Sequence, residues 1–390
     1  MLTLHVHLDR KKRLAGFEQY TNIQLSVAKI NHIPENRKLH LDAFRGLMAL
    51  AVVHCHTIIK FNPEDVSIHC HLMDSYVYFV VPAFYFISGY FIYQEFCRLK
   101  SSVTDRRLGD YKELLTKKFR RYIVPSIVFT LIPFFSLGID LLCHLNTAHY
   151  FIPALFLIIL FYCLLDRLIY NLSKRQQSVI LITYALSTTI LMYLIHDIPV
   201  FGYFHWRQAL HENLFFILGV VAAINIEYFD RKCKSAITLL TLTIMYAACY
   251  ALMFHFENVI PHSVFKLIQR VIAPIAGTLT FYCFFTYISH YITAGTAVGR
   301  MAYYLGNRSL PLYIMEDLVF LPVFYFIDVN TTLHAELYAL LAFILTTCGI
   351  CLLYDTLTGI PFLKRTVFGL DGSNPSKSET LPTIGSQKQE

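Results

Sequence analysis

The sequence predicts an all-α, polytopic membrane protein with about ten transmembrane helices, and three observations carry that reading. Of its 390 residues, 56% are hydrophobic and 15% charged, with a mean hydropathy of +0.50; a soluble domain carries roughly 25% charged residues. The apolar residues come in separated runs of about 20, the length that crosses a hydrocarbon core of about 30 Å. The runs are continuous and lack the alternation of a barrel wall, and lipid offers a bare backbone no partner, so the spans are helices.

Residues 1–38 are polar, with His5, His7, Asp9 and the run Arg10-Lys11-Lys12-Arg13. They lack the apolar core of a cleavable signal, so the first span is expected to direct insertion itself. Apolar runs follow near 40–60, 75–97, 121–142, 150–170, 177–195, 210–226, 235–255, 265–288, 309–327 and 335–357. Lys and Arg crowd the first segment, the even-numbered loops (98–121; Arg167, Lys174 and Arg175; Arg231, Lys232 and Lys234; Arg300 and Arg308) and the tail (Lys364, Arg365), while the odd loops carry almost none. By the positive-inside rule both termini and the even loops lie in the cytoplasm. The stretch 370–390, rich in Ser, Pro and Gly, reads as a disordered cytoplasmic tail, which leaves 39–369 as one membrane domain behind the polar segment 1–38.

The net charge of +7 is explained by these loops; no single basic face suggests a nucleic-acid partner. Most of the ten cysteines fall within spans, where a thiol packs as a small apolar residue. Cys348-Gly-Ile-Cys351 has redox spacing but sits in an apolar helix without a neighbouring strand, which favours packing. Cys70 and Cys143 both fall in predicted outer loops, so a bridge between them is open. Neither His54-Cys55-His56 nor His69-Cys70-His71 has a zinc-ligand spacing, because adjacent helical residues point apart, and no metal is expected.

Ionisable groups inside a span cost roughly 2.5–3.5 kcal/mol each at its centre, which makes them functional candidates. The first span, Leu41-Asp42-Ala43-Phe44-Arg45-Gly46 through His54-Cys55-His56, is the densest. Arg45 and His56 are eleven positions apart, three turns plus about 20°, so both project from one helix face about 16 Å apart along the axis. His54 lies about 160° away. One face thus offers a cation for an anionic ligand from the cytosol and, deeper, an imidazole able to act as general base. A boundary arginine beside Asp42 and a histidine bonded to a neighbouring helix would give the same pattern.

In the second span, Ser88-Gly89 permits close helix approach and Pro82 disturbs the ladder. Lys117, Lys118, Arg120 and Arg121 mark the start of the third, suited either to a phosphorylated cofactor or to lipid head groups. Glu316 and Asp317 fall about half-way across the ninth span and need a partner, water or protonation, for instance pairing with Arg45 or His56. Glu212, at the start of the sixth, reads as closer to water and ordinary.

Taken in order, these motifs resemble the acyltransferase-3 family of integral-membrane O-acyltransferases. Arg45, ten residues, then His56 is similar to its first-helix signature; Phe84-Tyr85-Phe86-Ile87-Ser88-Gly89-Tyr90 to its second; Lys117 through Pro125 to its basic third. Tyr150-Phe151-Ile152-Pro153, Phe215-Phe216-Ile217-Leu218-Gly219 and Leu305-Gly306-Asn307-Arg308-Ser309-Leu310-Pro311 resemble later segments. The likeness spans about 39–369 and is nearest to bacterial enzymes that acetylate surface glycans. It implies ten helices, a donor such as acetyl-CoA taken from the cytoplasm, and transfer to a hydroxyl of a cell-envelope polysaccharide or lipid-linked sugar in the bacterial inner membrane. It further implies that His56 is catalytic and that Arg45 and the basic third motif bind the donor. Two positions depart from the family pattern: Tyr150 stands where Trp is usual, and Glu316 where many members have His, so Glu316 and Asp317 are kept as candidate partners of the imidazole. An exporter of a glycan or lipid-linked sugar is the alternative, since intramembrane charges also mark transport paths, although paired broken helices in two related halves are missing from the pattern.

Overall fold

The computed structural model describes residues 33–34, 37–61, 68–99, 108–137, 151–195, 205–255, 261–316, 318–319 and 332–370. Among them there is no strand. Seven helices are long and apolar enough to cross a membrane, or eight if one bent pair counts as a span. Asp317, Tyr150, Cys143, residues 1–32 and the tail 371–390 lie outside the described residues.

The chain runs through α1 (Leu39–Phe61), α2 (Ile68–Asp74), α3 (Val77–Leu99), α4 (Leu108–Lys118), α5 (Val124–Leu137), α6 (Phe151–Ile169) and α7 (Lys174–Leu194). It continues with α8 (Trp206–Ile224), α9 (Ile226–Cys233), α10 (Ala236–His255), α11 (His262–Leu267), α12 (Ala273–Tyr287), α13 (Ala297–Ile314), α14 (Thr332–Gly359) and α15 (Pro361–Thr366). The apolar runs of the sequence account for α1, α3, α6, α7, α8, α10, the rod from α11 to α12, and α14. Two rods carry a π turn just before a proline: Phe119–Ile123 joins α4 to α5 ahead of Pro125, and Ile268–Ile272 joins α11 to α12 ahead of Pro274. A proline cannot donate to the ladder, and the widened turn absorbs the lost bond through i+5 contacts such as Val124 N–H to Phe119 O. At Asn225 the chain bends by 97° between α8 and α9; the Asn225 amide donates to Ser178 Oγ at 2.9 Å and to Val221 O at 3.0 Å, which fixes the corner.

Two helix pairs pack backbone to backbone. In the first, Gly89 of α3 and Gly219 of α8 are reciprocal: a Cβ on Gly89 would stand 2.0 Å from Phe216 O, and one on Gly219 would stand 1.8 Å from Phe86 O. In the second, Gly46 of α1 meets Leu305, and Gly306 of α13 meets Asp42, with virtual Cβ contacts of 2.8 and 2.6 Å. Small residues at such crossings let dispersion between backbones replace the hydrophobic drive that lipid does not supply. Around these crossings lie fully buried aromatic side chains, Phe44, Phe79, Tyr85, Phe86, Tyr90, Phe215, Phe216 and Tyr282. Outward, Leu168, Leu194, Ile237 and Leu352 are 71–79% exposed, a belt that suits lipid and that a water-facing surface of this extent would not tolerate.

The ninth span differs from its sequence expectation. The apolar run points to 309–327, of which 317 and 320–327 lie outside the described residues; the helix begins earlier, running Ala297–Ile314, and breaks at Met315. Its start is hidden in the sequence by Arg300, Asn307 and Arg308, which read as loop residues. Thr296 caps it by accepting from Gly299 N–H at 3.0 Å. Arg308 is held inside the bundle by Asp355 of α14, at 3.1 Å from Nε and 2.5 Å from Nη2, and lies 3.5 Å over the Tyr304 ring. Arg308 therefore serves as a helix–helix tie.

Candidate active site

His56 lies in the last two turns of α1, and Glu316 follows immediately on the break that ends α13. The break lets the carboxylate turn towards α1, and both oxygens stand 2.9 Å from His56 Nδ1. The Glu316 side chain is 3% exposed and that of His56 is 42% exposed, so the carboxylate is the buried support and the ring is the accessible member. A carboxylate only accepts, so Nδ1 carries the hydrogen; in the neutral ring the lone pair is then on Nε2. Of the partners the sequence allows Glu316, the structure selects His56.

Three turns back along the same helix, Arg45 is only loosely held. Its Nη2 is 3.4 Å from Asp42 Oδ1, its guanidinium is 5.6 Å from the Phe91 ring, and its Nε is buried with no hydrogen-bond partner. The charges of Asp42, Arg37 and Arg121 all act on it. Asp42 itself is fully buried and takes a two-pronged bond from Arg37.

The basic third motif divides. Lys117 and Lys118 close on Glu95 of α3, at 3.0 and 2.5 Å, and Lys118 is buried. Arg120 is exposed on the π turn, and Arg121, half-buried, lines a cavity with Pro125, Asn307, Pro311, Met315 and Tyr354. Its lining includes both Arg121 and Met315, the residue before Glu316.

His54 faces elsewhere, as its angle on the helix requires. Nδ1 meets Tyr76 OH in a short hydrogen bond, Nε2 is 2.9 Å from His69 Nδ1, and His69 Nε2 is 3.3 Å from Glu336 Oε2. Among the described residues no group of three or more His, Cys, Asp or Glu is placed to hold a metal ion.

Sequence reasoning missed several participants. Arg37, Asn307 and Glu95 act through partners 5 to 270 positions away; no local pattern marks Arg37 or Glu95, and the segment that contains Asn307 does not show its partner. Glu212 was expected near water; instead it is 6% exposed, with Oε2 lacking any hydrogen-bond partner and Oε1 3.2 Å from His211 Nδ1. It lies in the second turn of α8, where the tight packing of that helix against α3 and α7 buries positions that composition alone would leave wet.

A bundle of apolar helices with a lipid-facing belt defines a multi-pass membrane protein, and the His56–Glu316 pair lies among its helices. The chain belongs to the acyltransferase-3 family: the model of that family's acyltransferase domain matches residues 39–355. That makes it a membrane acyltransferase. Neither a curated protein nor a solved structure matches the chain.

Proposed function

We propose that the protein transfers an acyl group, acetyl in the first instance, from cytoplasmic acetyl-CoA to a hydroxyl of a cell-envelope polysaccharide or lipid-linked sugar. The observation that carries this reading is the His56–Glu316 pair, with both carboxylate oxygens at 2.9 Å from Nδ1 and the ring accessible, on the same helix face as the loosely held Arg45. Ten spans with both termini cytoplasmic, in a bacterial inner membrane, is the topology that goes with it; Arg45, Arg120 and Arg121 then lie at the cytoplasmic end where the donor arrives.

In the reaction the sugar oxygen attacks the thioester carbonyl while its proton passes to His56 Nε2. Glu316 holds the tautomer and offsets the charge of the imidazolium that forms. Collapse of the tetrahedral intermediate breaks the C–S bond, and the departing thiolate takes the proton back from the imidazolium, leaving the ring as it began. Arg45 and Arg121 supply guanidinium groups for the donor's phosphates. Lys117 and Lys118, already neutralised in part by Glu95, position α4 against α3 and add to the local positive field. Asp317 adjoins the pair in sequence and is a second candidate carboxylate.

Two substitutions test the pair. Glu316→Gln keeps a hydrogen-bond acceptor but removes the charge, and a fall in kcat of about 10- to 100-fold with little change in KM for acetyl-CoA is expected from weaker support of the imidazolium. An unchanged kcat would leave Glu316 a packing residue. His54→Ala, on the other face, is expected to keep kcat within about threefold while lowering the melting temperature, because Tyr76 and His69 lose a buried partner worth about 1–3 kcal/mol. A parallel loss of transfer in His54→Ala would move the base to that cluster. The exporter alternative predicts no consumption of acetyl-CoA by purified protein in nanodiscs, with or without glycan acceptors.

A further inference from the structure

Two guanidinium groups compete for one buried carboxylate at the start of α1, and one has taken it. Asp42 is fully buried, and Arg37 holds it with Nε at 2.6 Å from Oδ2 and Nη2 at 2.8 Å from Oδ1. Those are the lengths of charge-assisted bonds in the two-pronged geometry that suits a carboxylate. The same Nη2 donates to Asn307 Oδ1 at 2.7 Å, and the guanidinium lies 5.4 Å from the Tyr303 ring. Gly306 presses its backbone onto Asp42, where a Cβ would meet the Asp42 Cβ at 2.6 Å. Arg37 therefore ties the entry of α1 to α13 beside the close contact of Gly306 with Asp42.

Arg45 is left with the remainder. It reaches the same Oδ1 only at 3.4 Å, and its Nε is buried with no acceptor. A buried guanidinium donor without an acceptor is costly unless a ligand supplies one. We propose that Arg37 is a positioning residue for donor binding: by engaging Asp42 it keeps the guanidinium of Arg45 from being captured by that carboxylate and so presents it to a phosphate of the acyl donor. The inference rests on the reading of Arg45 as a donor-binding residue. Arg37 lies two positions before the matched family domain begins at residue 39, so this device is built from a residue outside it.

The two arginines have separable effects because Asp42 can be removed as well. The experiment measures kcat and KM for acetyl-CoA in nanodiscs for the wild type, Arg37→Gln, Arg45→Gln, Asp42→Asn with Arg37→Gln, and Arg37→Gln with Arg45→Gln. Arg37→Gln frees Asp42 to take Arg45 and is expected to raise KM roughly tenfold or more, the weight of one charge-assisted hydrogen bond, with kcat within about twofold. Adding Asp42→Asn removes the captor and is expected to bring KM back to within about threefold of wild type. Arg45→Gln raises KM by itself, and adding Arg37→Gln to it changes nothing further, since the two act through one guanidinium.

A residue that merely holds the fold, or that touches the donor directly, would leave the Asp42→Asn combination as poor as Arg37→Gln alone, and that result overturns the proposal. So does an unchanged KM in Arg37→Gln while Arg45→Gln raises it, which leaves the role of Arg45 standing. If instead Arg45→Gln binds acetyl-CoA like wild type, the donor reading of Arg45 fails and the proposal with it. Should Arg37→Gln not accumulate in membranes, the combination with Asp42→Asn decides the matter, because it removes both buried charges together: a near-wild-type KM supports the proposal and a raised one overturns it.

Discussion

Replacing His56 by Ala is expected to reduce acyl transfer by about 10²- to 10⁴-fold, the span usually lost with a general base, and to leave the protein in the membrane at near-normal level. The size of the effect follows from the arrangement of the pair. The carboxylate of Glu316 is 3% exposed and points both oxygens at Nδ1 of a ring that is 42% exposed. A purely structural histidine has no need of accessibility on one side and a buried anion on the other. His56→Ala strips Glu316 of that partner, so a second variant separates chemistry from packing. His56→Gln retains an N–H that can donate to the carboxylate but has no titratable nitrogen, and it is expected to be as inactive as the alanine variant while melting closer to wild type. Turnover of acetyl-CoA with a glycan acceptor is the measurement. Transfer retained by the glutamine variant would mean that hydrogen bonding to Glu316, and no proton transfer, is what His56 contributes.

How much of this was legible in the sequence depends on how far apart the interacting residues stand. Single spans show themselves, because an apolar run of about 20 residues is a local property; α1, α3, α6, α7, α8, α10, the rod from α11 to α12, and α14 lie within a few residues of their runs. The helical face shared by Arg45 and His56 was also legible, since 3.6-residue periodicity needs only one helix. So was Gly89 as a close-approach residue, although nothing local to the segment ending at Gly219 shows that its helix is the one Gly89 meets. What the sequence hid was the start of α13. Its Arg300 and Arg308 look like loop cations in a one-dimensional reading, and only Asp355 on another helix explains why Arg308 is inside. The same limit applies to the site. Glu316 was a candidate because a carboxylate in an apolar stretch demands a partner, but choosing His56 from two possible partners required the fold to bring together residues 260 positions apart. Arg37 was counted as one more positive-inside charge, and its two-pronged hold on Asp42 changes it into part of the site.

The α3–α8 crossing should be the least forgiving place in the bundle, and Gly219→Val is expected to abolish accumulation of folded protein. The argument is steric. A Cβ at position 219 would lie 1.8 Å from Phe86 O, and one at position 89 would lie 2.0 Å from Phe216 O, in both cases backbone atoms that cannot rotate out of the way. Overpacking a core usually costs about 1–3 kcal/mol when side chains can yield; here the helices themselves must separate, which also strips Phe86, Phe215, Phe216 and Tyr282, all buried, of their contacts. No hydrophobic drive opposes that separation in lipid, so little compensates. Gly219→Ala is already expected to lower the melting temperature measurably, and Gly89→Ala to do the same. Gly295→Ala serves as the control, since a Cβ there meets nothing within 4 Å. Melting curves of the purified proteins, read beside their yields, decide it. If the valine variant at position 219 melts like the position-295 control, the two helices do not meet backbone to backbone, and the platform against which α1 and α12 pack must be drawn differently.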